Sequence, residues 1–146
     1  MSHKLTETPC IGICSTIYGD NVCRGCKRFY DEIIEWNTYD RDKKLTILSR
    51  LNYLTTHVME RYVDVFDASK LRHKCETYNI KIRPNFSPLT WAYNLLREAA
   101  DEIHNLKQYG IQIKKEFSEI NPAELIKRID DELFARSEDA FTATTT

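Results

Sequence analysis

Apolar residues along this chain recur mostly three and four apart, the spacing that lays them on one face of an α-helix. Phe29, Ile33 and Trp36 fall at i, i+4 and i+7 and predict a short first helix, closed by a polar break over residues 37–42 in which Asp40 is suited to cap the next. Leu48, Leu51, Leu54 or Thr55, Val58, Tyr62 and Val65 or Phe66 then predict a second helix running past about twenty residues. Asp67-Ala68-Ser69 is a candidate restart, because Asp and Ser favour caps over helix interiors, and Leu71, Cys75 and Tyr78 continue an apolar face. Residues 79–87, NIKIRPNFS, alternate briefly around Pro84 and predict an extended connector, not a paired strand. Ser87-Pro88 supplies a cap followed by proline at the first helical position. Trp91, Leu95, Leu96, Ala99, Ile103 and Leu106 give that helix its buried face, with Gly110 as its stop. Asn121-Pro122 repeats the cap chemistry ahead of Leu125, Ile126, Ile129 and Leu133. The closing FTATTT has too little to bury to stay ordered.

One stretch departs from this helical pattern. PCIGICSTIYGDNVCRGCKR, residues 9–28, holds four of the five cysteines and three of the four glycines of the chain. The expected fold is therefore mainly α, with a small four-cysteine metal-binding loop module at the N-terminus leading into a helical bundle. Its divisions are a flexible N-terminus over 1–8, the module over 9–55, a helical extension over 56–139 and a disordered tail over 140–146.

Charge narrows the partners. With 21 basic and 22 acidic residues in 146, no global field draws the chain to nucleic acid or a membrane. Residues 1–30 are mildly positive through Lys4, Arg24, Lys27 and Arg28 against Glu7 and Asp20, so any electrostatic recognition is local. No apolar run reaches the ~18 residues of a spanning helix, and MSHKLTETPC lacks the apolar core of a secretory signal, which gives a cytoplasmic expectation. In a reducing compartment, clustered cysteines point to metal ligation or redox chemistry and not to structural disulfides.

Cys10, Cys14, Cys23 and Cys26 are spaced C-x3-C-x8-C-x2-C. Two close pairs joined by a turn suit a tetrahedral zinc ion, whose sulfur ligands lie at about 2.3 Å. Gly12 and Gly25 sit inside the pairs, and Gly19 lies in a turn-rich segment that folds one pair back on the other. Four thiolates around zinc leave two negative charges, which Arg24, Lys27 and Arg28 offset. Zinc is the favoured cofactor. An iron-sulfur cluster is the alternative, although the spacing matches neither of the common cluster runs. CRGC also has the form of a redox C-x-x-C pair at a helix start, but no strand precedes it as a thiol-disulfide oxidoreductase requires.

PCIGIC, NVCRGCKR and DEIIEWN together resemble the short bacterial YdhL-like four-cysteine proteins, a family of unknown function (domain of unknown function 1289) often catalogued as predicted iron-sulfur proteins. The residues carrying the resemblance are Pro9, Cys10, Gly12 and Cys14, then Cys23, Arg24, Gly25, Cys26 and Arg28, then Glu32, Ile33 and Trp36, continued by Lys43 or Lys44 and Arg50-Leu51. It covers about the first third of the chain. It implies one metal centre on the four cysteines and no established reaction. Phe29 and Trp36 would pack against the cysteine loop, while Arg24, Lys27 and Arg28 either support the ligands or face a partner.

Other candidates are weaker. His57, His73 and His104 each stand alone on a helix, and Cys75 sits at core spacing. Asp101 and His104 form half of a di-metal carboxylate-histidine motif without a second copy. No nucleophile-base set, phosphate-cradling loop or carboxylate pair can be assembled, so no enzymatic activity and no small-molecule substrate are expected. Two functional classes follow: a zinc-shaped interaction module for a protein partner, with RNA contact through the basic patch of Arg24, Lys27 and Arg28 beside Tyr30 as its variant, and an iron-sulfur protein for electron transfer or redox sensing.

Overall fold

The computed structural model describes residues 6–12 and 14–145. The flexible N-terminus expected over 1–8 falls mostly outside the described residues, as does the last residue of the expected tail.

Most of the chain is helical, and each helix begins where local chemistry satisfies its free backbone groups. Helix α1, Tyr30–Ile34, is a single turn followed by a 3-10 turn over Trp36–Thr38. Glu32 fixes its start by accepting a hydrogen bond from the Phe29 N–H at 2.8 Å. Helix α2, Arg41–Met59, is capped as its sequence implies, with Asp40 Oδ1 accepting from the Lys43 N–H at 2.8 Å. After Met59 the backbone switches to tighter bonds, Arg61 N–H to Val58 O and Tyr62 N–H to Met59 O, and the helix stops. Asp67 then opens α3, Ala68–Thr77, by accepting from the Lys70 N–H at 3.0 Å. Helix α4, Pro88–Ala99, starts on its proline, and α5, Pro122–Thr145, starts with Asn121 Oδ1 accepting from the Glu124 N–H.

Three expectations are corrected. The second helix does not continue through Val65: residues Val63–Val65 form strand β1, paired antiparallel with strand β2, Ile111–Ile113, in the register Val63 to Ile113 and Val65 to Ile111. Valine and isoleucine flanking Asp64 and Gln112 suit a pleated pair better than a helix surface. The face expected to reach Leu106 breaks after Ala99 into 3-10 turns over Ala100–Glu102 and Leu106–Tyr109. The last helix runs through the threonine-rich tail to Thr145. There Thr142 and Thr144 hydroxyls donate to carbonyls four residues back, and Phe141 packs edge-on against Phe29 with ring centres 5.2 Å apart.

The chain divides into two compact units, one comprising residues up to Leu54 with those from Leu133 onward, the other Thr55–Glu132. The second has a largely aliphatic interior, including Val58, Met59, Leu71, Leu95, Leu96, Ile111, Leu125 and Ile129. Two buried tyrosine hydroxyls are paired, Tyr93 donating to Asp130 at 2.5 Å and Tyr62 to Glu132 at 2.8 Å. Gly110 adopts φ +77° beneath Asp67, where an added Cβ would lie 2.3 Å from a backbone oxygen. The first unit buries Val22, Phe29, Trp36, Ile47, Leu48, Leu51 and Phe134.

Candidate metal centre

The second cysteine pair stands on a loop closed at its neck. Val22 and Phe29 form an antiparallel bridge, Cys23 N–H donates to Arg28 O at 2.9 Å, and Tyr30 N–H donates to Asn21 O at 2.8 Å. Within the neck, Lys27 N–H returns to Cys23 O at 2.8 Å, a reversal that puts Lys27 at φ +68°. This turn buries both Cys23 and Cys26.

The sulfur of Cys23 is the focus of several donors. The Cys26 thiol contributes most, followed by the backbone N–H groups of Cys26, Ser15 and Gly25, and together they overcome desolvation and hold its pKa down to about 4. Cys26 moves the opposite way: donation to Cys23 and burial push its pKa up, against the opposing pull of Arg28. The pair therefore sheds one proton easily and keeps the other. Arg28 Nε donates to Cys26 Sγ at 3.3 Å, and its guanidinium lies 4.9 Å from the Trp36 ring centre. Lys27 points its ammonium at the carbonyl oxygens of Arg24 and Gly25.

The first pair lies on chain tied to the second but is not gathered with it. Ser15 Oγ accepts from the Arg24 N–H at 2.8 Å, so the segment after Cys14 is stitched to the second loop. Cys14 Sγ, however, rests 2.9 Å from Thr16 Oγ1, and the exposed Cys10 Sγ accepts from the Gly12 N–H at 3.3 Å. Among the described residues, no three histidine, cysteine or acidic side chains come together as a metal site. The donor chemistry of the second pair fits a metal thiolate, whereas the four-sulfur set is not assembled.

The cations are not arranged as a patch. Lys27 is 4% and Arg28 3% exposed, so neither is offered to solvent, and only Arg24 of the three is exposed. Arg24 lays its guanidinium on Phe134 with 4.0 Å to the ring centre. Trp36 is buried, as its place in the motif implies.

The sequence reading assigned no role to the ion pair of Glu32 and Arg50, which joins α1 to α2. Both Arg50 terminal nitrogens reach the Glu32 carboxylate at 2.6 Å, and the guanidinium covers Phe29 at 4.0 Å from the ring centre. A Glu and an Arg on two helices, 18 residues apart, carry no local signature that would have found the pair. Cys75 stands apart in the second unit, fully buried, with its thiol pushed up to about 11 chiefly by burial and then by Glu98 and Glu76.

Residues 8–54 match the family described as Protein of unknown function (DUF1289). The four-cysteine segment belongs to that family. The DUF1289 segment thus contains both cysteine pairs, Glu32, Trp36 and Arg50, while the match ends before the second unit begins. The chain matches no curated protein and no solved structure.

Proposed function

We propose that the DUF1289 segment is a non-catalytic, metal-shaped interaction module, in which Cys10, Cys14, Cys23 and Cys26 hold one structural zinc. One observation carries this reading: the Cys23 sulfur draws donors from Cys26, Ser15 and Gly25, beside an arginine that donates to Cys26. Zinc needs thiolates, and this loop stabilises thiolate charge without any bound ion. Gly12, at φ +90° with open space around it, gives the first pair the backbone freedom to close on the second.

The same loop favours a protein partner over RNA. Ile17 and Tyr18, on the 3-10 turn Ser15–Tyr18 between the two pairs, are 73% and 86% exposed, whereas Lys27 and Arg28 are withdrawn from the surface. Protein purified without oxygen is expected to be colourless and to release about one zinc per chain, and to lose it when the four cysteines are replaced by serine. Broad visible absorbance with iron and acid-labile sulfide would instead assign the cluster. Metal-free protein whose fold is unchanged by the four serines would defeat both.

A further inference from the structure

Positive charge is concentrated in the second unit. Between Asp67 and Glu98 the sequence carries Lys70, Arg72, Lys74, Lys81, Arg83 and Arg97 against Glu76 alone, although the whole chain has slightly more acids than bases. The fold draws part of this run into one stripe. Leu71 and Cys75 turn inward from α3, and Lys70, Lys74 and Tyr78 follow one another at intervals of four along an adjacent line of the same helix and its cap. Lys74 holds its ammonium 5.3 Å from the centre of the Tyr109 ring, and the Tyr78 ring, 44% exposed, lies 6.1 Å from that of Tyr109. Past Tyr78 the chain turns at Asn79, φ +57°, and the Ile80 N–H donates to Cys75 O at 2.8 Å, which sets the next residues at the end of the stripe. They are moored on α4 through their carbonyl oxygens, Lys81 O accepting from the Asn94 side chain at 3.2 Å and Arg83 O from the Trp91 indole at 2.9 Å. The exposed Lys81 is therefore carried on a fixed backbone. Asp67 is engaged in capping α3 and Glu76 in pairing with Arg72 at 3.5 Å, while Glu102, facing Tyr109, borders the stripe.

We propose that the surface of Lys70, Lys74, Tyr78 and Lys81 binds single-stranded nucleic acid, the lysines meeting phosphates and the Tyr78 ring stacking on an unpaired base. This surface lies beyond the segment that matches the family and is independent of the metal reading above. The occupant follows from charge and shape. A row of cations suits a polyanion, whose bound counterions are released when lysines take their place. An exposed aromatic ring set among those cations favours a nucleic acid over an acidic polypeptide, because every base offers a flat face to stack on it. A duplex keeps those faces inside its own stack, so the ring selects a single strand. Tyr109, buried and tilted at 34° against Tyr78, backs the exposed ring and fixes where a base would lie.

Fluorescence anisotropy of the full chain with labelled oligouridylate and oligothymidylate, each of about twelve nucleotides, tests this over a range of salt concentrations. Binding is expected at about 50 mM salt and to weaken as salt rises, with Lys74→Ala and Lys81→Ala each making the log–log slope shallower by about 0.7. Lys43→Ala, an exposed position in the first unit, is expected to bind like the parent. Tyr78→Ala is expected to lose about fivefold or more in affinity, whereas Tyr78→Phe, which keeps the ring, retains it. Should Tyr78→Ala fail to fold, Tyr78→Leu, which keeps apolar bulk without an aromatic face, carries this arm. The tighter of the two oligonucleotides identifies RNA or DNA as the source of the strand. The inference is overturned if neither oligonucleotide binds at about 50 mM salt, or if both lysine variants bind like the parent. It is equally overturned if the ring can be removed without loss, if a duplex of the same length binds as tightly, or if polyglutamate displaces the oligonucleotide as well as unlabelled strand does.

Discussion

The two units of this chain are held together by different physics. In the second, Val58, Leu71, Leu95, Leu96, Ile111, Leu125 and Ile129 are fully buried, and apolar burial at about 25 cal/mol per Å² is the main source of cohesion. In the first, two cysteines and the polar side chains of Lys27, Arg28 and Glu32 are buried, and each of these three has a specific partner: backbone carbonyls for Lys27, the Cys26 sulfur for Arg28 and the Arg50 guanidinium for Glu32. An aliphatic core tolerates changes of pH, metal and oxidant. A core made of thiols and paired charges responds to all three. The difference teaches where sensitivity resides: the chemically responsive unit is also the one that contains the segment matching a family.

Each unit contains one buried tryptophan, Trp36 in the first and Trp91 in the second, so single-tryptophan variants report the two separately. The largest expected effect is in the second unit: Leu95→Ala costs about 2–5 kcal/mol by leaving a cavity, read as a shift of the Trp91 unfolding midpoint in denaturant. If the Trp36 transition moves equally, the two units do not differ as argued. Next comes Glu32→Gln, which leaves the Arg50 charge without its carboxylate and costs about 2–3 kcal/mol, less than a fully buried pair because Arg50 is a quarter exposed. That loss is expected at Trp36, and an unchanged midpoint there would show that α1 and α2 are joined without the ion pair.

A third contrast is a pH dependence of the metal-free chain. In the folded first unit Cys23 titrates at about 4, whereas in the unfolded chain it titrates at the ordinary 9.0. Between these values the unfolded state binds more protons, so stability rises with pH from about 4 to about 9. Above that window the elevated Cys26 reverses the trend. In the second unit Cys75 and the shifted tyrosines all move upward, so its stability declines only at alkaline pH. Midpoints of both tryptophan signals measured from pH 5 to 9 check this, and parallel curves would remove the distinction.

What could be read from the sequence follows the range of the interaction. Asp40, Asp67, Pro88 and Asn121 act on backbone groups within a few residues, so the starts of four helices were visible in the chain itself. The strand pair was not, because Val63–Val65 is too short to break a spacing of three and four, and its partner lies about fifty residues away. The helical tail was missed for the same reason, since what Phe141 buries is Phe29, far off in sequence. Within the cysteine segment, the pairs and glycines were legible from spacing. The burial of Lys27 and Arg28 was not, because a cation near a helix start is normally solvated, and only the turn at Lys27 and the sulfur of Cys26 draw these inward.

Cys75 has a practical use that its chemistry makes simple. Four of the thiols belong to the first unit, while this fifth is sealed in the second and held protonated at neutral pH. An alkylating reagent reaches it only through openings of the second unit, so its rate of labelling times those openings directly. The chain thus carries a native reporter of its more inert half, with no dye or engineered residue required.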